Sequence, residues 1–132
     1  MARNTPGTVR MTPRRPTIDG LSGRANAAIQ ALRPGIGDVG DALRGYRREI
    51  RRAGRWIDLA GQCPSPSCDI GHQRDVLEAA LHALPRDAAR ELRRLVAALD
   101  EEFLRKTLPD PRAATRGAWH ARAWWRQRLE DR

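Results

Sequence analysis

Cys63 and Cys68 are the only cysteines of the chain, and His72 follows the second after three intervening residues. Thiolates and imidazoles are the ligands a structural zinc prefers, in a tetrahedral shell. A helix starting near Cys68 sets His72 one turn further on the same face, and Cys63 can fold back over Pro64 and Pro66 toward the same point. The fourth ligand is harder to place. His82 lies about 15 Å further along the same helix, too far to share a metal. His120 reaches the site where the C-terminal segment packs beside the loop; Asp69 or a water is the other option. The spacing matches no standard zinc finger. The expectation is a structural zinc on Cys63, Cys68, His72 and His120, with free thiols and a local disulfide as the alternatives. A catalytic zinc is disfavoured because no general base stands nearby in the sequence.

Arginines form the second feature. Arg44, Arg47, Arg48, Arg51, Arg52 and Arg55 fall opposite the apolar stripe Val39, Leu43, Tyr46, Ile50, Ala53, Trp56 and Ile57 when plotted at 100° per residue. Such a row can track a phosphate backbone. It can also be the solvated face of an amphipathic helix. Like charges one turn apart cost stability without a partner, and only Glu49 and Asp58 offset them, which favours an anionic partner. Weak base specificity is expected, because no Asn or Gln accompanies these arginines.

The third feature is the segment from Arg116 to Arg128, in which Trp119, Trp124 and Trp125 interleave with arginines. Tryptophans can stack on bases or serve as protein-binding anchors. They can equally fix a terminal helix onto a core short of aromatics. A helix-turn-helix from residues 72–84 and 88–107 would present Arg86, Arg90, Arg93 and Arg94. The acids Asp87, Glu91, Asp100, Glu101 and Glu102 on the second helix speak against it. No glycine-rich phosphate loop, nucleophile elbow or His-Glu-x-x-His motif occurs, so an enzyme is not expected.

The elements positioning these groups read as helices. A short one spans Leu21 to Leu32 and stops at the Pro34-Gly35 turn. The arginine helix is expected from Asp38, its cap, to about Ala60. An irregular loop covers residues 61–71, and a helix runs from about His72 to Leu84. After a tight connection, with Asp87 as cap, a long helix carries Leu92, Leu95, Val96, Leu99 and Phe103 to about Thr107. Glu101–Arg105 and Glu102–Lys106 pairs are expected on its outer face. The short connection predicts an antiparallel hairpin. A last helix is expected over about residues 117–130, although Trp119, Trp124, Trp125 and Leu129 make no single face. No strand alternation is evident. The fold class expected is all-α, an irregular bundle of four to five helices.

The totals agree with this. With 132 residues the chain fits one domain, residues 20–132, large enough to bury its own core; residues 1–19, with three prolines and no large apolar cluster, read as a disordered basic arm. Net charge is +9, carried by arginines and a single lysine, Lys106. Residues 1–60 hold 12 arginines against 5 acids, whereas the rest is close to balanced, so the first half is where an anionic partner is expected. GC-rich codon usage is an alternative cause of the arginine excess. No apolar run is long enough for a membrane span and no secretory signal is evident, which makes the cytoplasm the default location. The function expected is a non-enzymatic, nucleic-acid-associated or regulatory protein. The alternative is a helical adaptor on an acidic protein surface, using Trp119, Trp124 and Trp125.

Overall fold

Helix α1 spans Gly23–Gln30, α2 Val39–Ile50, α3 Ile70–Ala83 and α4 Arg86–Arg105, with a two-stranded sheet of β1, Thr107–Pro109, and β2, Arg128–Glu130. These come from a computed structural model that describes residues 17–52, 69–112, 115 and 123–131. Most of the expected basic arm lies outside that range, as do Arg55, Cys63, Cys68, Trp119 and His120.

Three of the four helices begin where a side chain can satisfy a free N–H group of the first turn. Ser22 Oγ accepts from Ala25 N, Asp38 from Asp41 N, and Asp69 from Gly71 N. The Asp69 cap starts α3 at Ile70, inside what reads as loop. α4 departs from expectation at the same place. Pro85, not Asp87, occupies its cap position, and Asp87 falls in the first turn. Proline supplies a fixed φ and gives up no needed donor there, so the helix starts early. Gly37, at φ +100°, makes the reversal between the Pro34–Ile36 turn and the Asp38 cap, a conformation strained for any side chain.

The core is a single cluster. Tyr46 and Ile50 from α2, Leu77 from α3, and Leu92, Val96, Leu99 and Phe103 from α4 are fully buried in it. α2 packs most extensively on α3, and α1 lies against α4. Arg74 near the start of α3 meets Asp100 near the end of α4, so these helices run antiparallel, as the short connection predicts. Ahead of α1, the buried Asn26 amide holds the entering chain: its Oδ1 accepts from Ile18 N at 2.8 Å and its Nδ2 donates to Ile18 O.

The C-terminal segment corrects the all-α reading. The described part of residues 117–130 is not a helix; Trp124–Arg126 is one 3-10 turn and Arg128–Glu130 is a strand. It pairs antiparallel with β1, Thr107 opposite Glu130, Leu108 opposite Leu129 and Pro109 opposite Arg128. The absence of a single apolar face is the physical reason. Trp124 and Trp125 reach the core from consecutive positions, edge to face at 5.9 Å, which the turn allows and a regular helix stripe does not. Arg128 then closes the end of α4, donating to the carbonyls of Leu104 and Thr107 and to Thr107 Oγ1. Pro109 is tolerated because a two-stranded ribbon consists of edges. The molecule is therefore mostly helical with a small sheet. Among the described residues no helix is long and apolar enough to cross a membrane.

Candidate functional site

The arginine stripe of α2 is less uniform than its sequence implies. Arg44 pairs with Asp41, one turn back on the same helix. Arg52 pairs with Glu49 at 2.8 Å. Arg51 reaches across to α4 and grips both oxygens of Glu102, at 3.1 and 3.2 Å. Arg47 is half-buried, while Arg48 is exposed. The i,i+4 pairing of Glu102 with Lys106 is thus replaced by a longer-range one. Lys106 donates instead to the carbonyl of Ile50, at the end of α2. The hydrogen bond from Arg51 holds the Glu102 carboxyl below the usual glutamate range. These are surface contacts, each worth roughly 0–1 kcal/mol.

A buried polar network lies beneath, and sequence reasoning missed it. The Arg74 side chain is only 5% exposed. Its Nε and Nη2 fork onto Asp100, both at 3.0 Å, and its Nη1 donates to Glu78 at 2.9 Å. Tyr46 donates its hydroxyl to the same Asp100 at 2.7 Å. The guanidinium also stacks over the ring of Trp125, 4.5 Å from its centroid. Burial alone would push the Arg74 guanidinium down, but the hydrogen bonds and charge of Asp100, then Glu78, outweigh it and raise it. Burial pushes the Tyr46 phenol far above its ordinary value, and Asp100 adds to this, so it remains a donor. Burial of Glu78 is likewise outweighed by Arg74 and then His82, leaving its carboxyl lowered. The signal was present: Arg74 lies on the apolar stripe itself, four residues after Ile70 and three before Leu77, and Asp100 stands four after Val96. A charge on a core stripe requires a partner on the facing one.

The two described tryptophans, Trp124 and Trp125, pack on the core. Trp125 is 8% exposed and its indole N–H donates to Asp75 at 2.7 Å. Arg126 pairs with the other oxygen of Asp75. Trp124 is half-buried, edge-on to Phe103 at 5.8 Å. Both anchor the C-terminal segment to α3 and α4. Among the described residues the large apolar groups that face outward are Leu104, Leu108 and Leu129, the last two opposite each other across the sheet.

His72 is exposed in the first turn of α3. It lines a cleft of about 440 Å³ together with Asp38, Asp41, Arg44 and Arg48. The other three expected zinc ligands lie outside the described residues. Asp69 is engaged as the helix cap. His82 pairs with Glu78 at 2.8 Å. Among the described residues no group of three or more His, Cys, Asp or Glu side chains could hold a metal.

No protein-family model matches the chain, and no curated protein or solved structure matches it either.

Proposed function

We propose that the protein is a non-enzymatic, nucleic-acid-associated helical module of the cytoplasm that holds phosphate backbones through outward-facing arginines. One observation carries the reading: Trp125 is buried and Trp124 packs half-buried against the core, whereas Arg44 and Arg48 on α2 and Arg51 and Arg52 just after it stand exposed. An adaptor using Trp124 and Trp125 would need them at the surface; Trp119 lies outside the described residues. Binding requires phosphate to displace Asp41 from Arg44, Glu102 from Arg51 and Glu49 from Arg52; the first carboxylate is well exposed, the other two are largely covered. A structural zinc on Cys63, Cys68, His72 and His120 belongs to the same proposal; the exposed imidazole of His72 at the start of α3 supports it. The adaptor reading keeps one specific support, the exposed Leu104, Leu108 and Leu129, which would replace the tryptophans as its contact.

The test is a titration of wild type and Arg48→Ala/Arg52→Ala with a labelled duplex at three salt concentrations. Each neutralised phosphate contributes about −0.9 to the slope of log K against log salt. The double variant should flatten the slope by up to about 1.8 without loss of fold, because both side chains lie off the apolar stripe. No duplex affinity in the wild type, with a partner lost on Leu108→Asp, would transfer the function to the adaptor reading.

A further inference from the structure

Four arginines of α4 have no explanation inside the molecule. Arg86, Arg90, Arg93 and Arg94 are exposed, and among the described residues none of them has an ion pair within 4 Å. At 100° per residue they share an arc of about 100° on the side away from Leu92, Val96 and Leu99. Asp87 and Glu91 fall outside that arc. Arg86, Arg90 and Arg94 succeed one another at about 6 Å along the axis.

This pattern works against the helix. Arg86–Arg90 and Arg90–Arg94 are like-charge i,i+4 pairs, each costing roughly 0.2–0.5 kcal/mol. Arg86 also sits in the first turn, where the helix dipole disfavours a cation. Two of the three acids in the other half of α4 are accounted for by tertiary contacts, Asp100 by Arg74 and Tyr46 and Glu102 by Arg51; Glu101 is exposed. The arginine half has no such account.

A second observation joins another element to the same surface. Glu91, the acid nearest these arginines, is taken up by Ser22. The backbone N–H and the Oγ of Ser22 donate to its two oxygens, both at 2.8 Å. Those two hydrogen bonds, and then the charges of Arg94 and Arg24, hold its carboxyl below the usual range. Arg24, exposed on α1 two residues after Ser22, is carried to the α4 surface by this contact and by the packing of α1 on α4. Arg93 is set apart, because it borders the groove lined by Glu78 and Asp100.

We infer that Arg24, Arg86, Arg90 and Arg94 form a second phosphate-backbone contact, on the α1–α4 face and separate from the α2 arginines. The inference rests on the nucleic-acid reading above and extends it from one helix face to two. The contact is assigned to the backbone, since the arginines run as a row along the helix axis; adenine reading is not expected without Asn or Gln among them. A nucleic acid fits better than a small anion because the arginines form a row along the axis and line no pocket.

The experiment compares wild type, Arg90→Ala/Arg94→Ala and Arg48→Ala/Arg52→Ala in the same duplex titration, with polyglutamate as a second probe. Two lost contacts flatten the salt slope of Arg90→Ala/Arg94→Ala by about 1.8 and weaken binding about thirtyfold at about 0.15 M salt. Its thermal stability should equal or exceed that of the wild type, because alanine favours helix and the like-charge pairs are gone. An unchanged slope in Arg90→Ala/Arg94→Ala beside a flattened one in Arg48→Ala/Arg52→Ala overturns this inference and leaves the nucleic-acid reading standing. Polyglutamate binding with no duplex binding in the wild type overturns both.

Discussion

Replacing Arg74 by Met should destabilise the fold far more than any other single arginine substitution among the described residues. The guanidinium makes three charge-assisted hydrogen bonds from a site where its side chain is 5% exposed. Methionine fills much of the volume but leaves Asp100 buried with only the Tyr46 hydroxyl. Removing one partner of a buried pair costs about 3–5 kcal/mol. The Asp100 side chain is 17% exposed and that of Glu78 31%, so partial rehydration places the loss near the lower end, about 3–4 kcal/mol. With a urea m-value of about 2 kcal/mol/M, the unfolding midpoint falls by about 1.5–2 M. Trp124 and Trp125 lie 5.6 and 4.5 Å from the guanidinium, so tryptophan emission reports the transition directly. Adding Asp100→Leu should recover part of the loss, because replacing both charges with apolar groups removes the orphaned carboxylate. A loss below about 1 kcal/mol in Arg74→Met would refute the reasoning, since that is the worth of a solvated surface pair.

Acid should weaken the fold through Glu78, Glu91 and Glu102. All three have folded-state values below the ordinary glutamate value of about 4.3, so the stability they add is complete above that value and is lost as pH falls through the lowered values. Thermal melts from neutral pH down to about pH 3 check this; a midpoint that rises on acidification contradicts it. Chelator treatment should lower the melting temperature if Cys63, Cys68, His72 and His120 hold zinc, because metal affinity is then folding energy. Elemental analysis finding no zinc in protein purified without chelator ends that proposal.

What was legible in the sequence is what repeats locally. The 3.6-residue stripes of α3 and α4, that of α2 as far as Ile50, and the Asp38 cap depend on neighbours a few residues apart and are found as read, but the helix expected to run on to about Ala60 ends at Ile50, and Ala53, Trp56 and Ile57 lie outside the described residues. Chain ends of elements read less well: α4 starts at Pro85 with no side-chain cap bond, and Asp69 caps α3 within what reads as loop. The C-terminal segment was misread for a different reason. Its strand exists only because Thr107–Pro109 offers an edge some twenty residues earlier, and no local periodicity records that. The same holds for the candidate surface. Arg51 finds Glu102 and Ser22 finds Glu91 across the fold, so which arginines are engaged and which stand open depends on tertiary contacts. Counting charges along the first half pointed to α2, whereas exposed arginines without a described ion pair also stand on α1 and α4, at Arg24, Arg86, Arg90 and Arg94.

The central claim is that arginines on this scaffold neutralise phosphates. It is tested most directly by the affinity of the wild-type protein for a labelled duplex between about 50 and about 200 mM salt. Binding whose logarithm falls linearly with log salt, with a slope of about −3 or steeper, is the predicted result, equivalent to more than three phosphate contacts. Affinity that is absent at the lowest salt, or present but indifferent to salt, would contradict it.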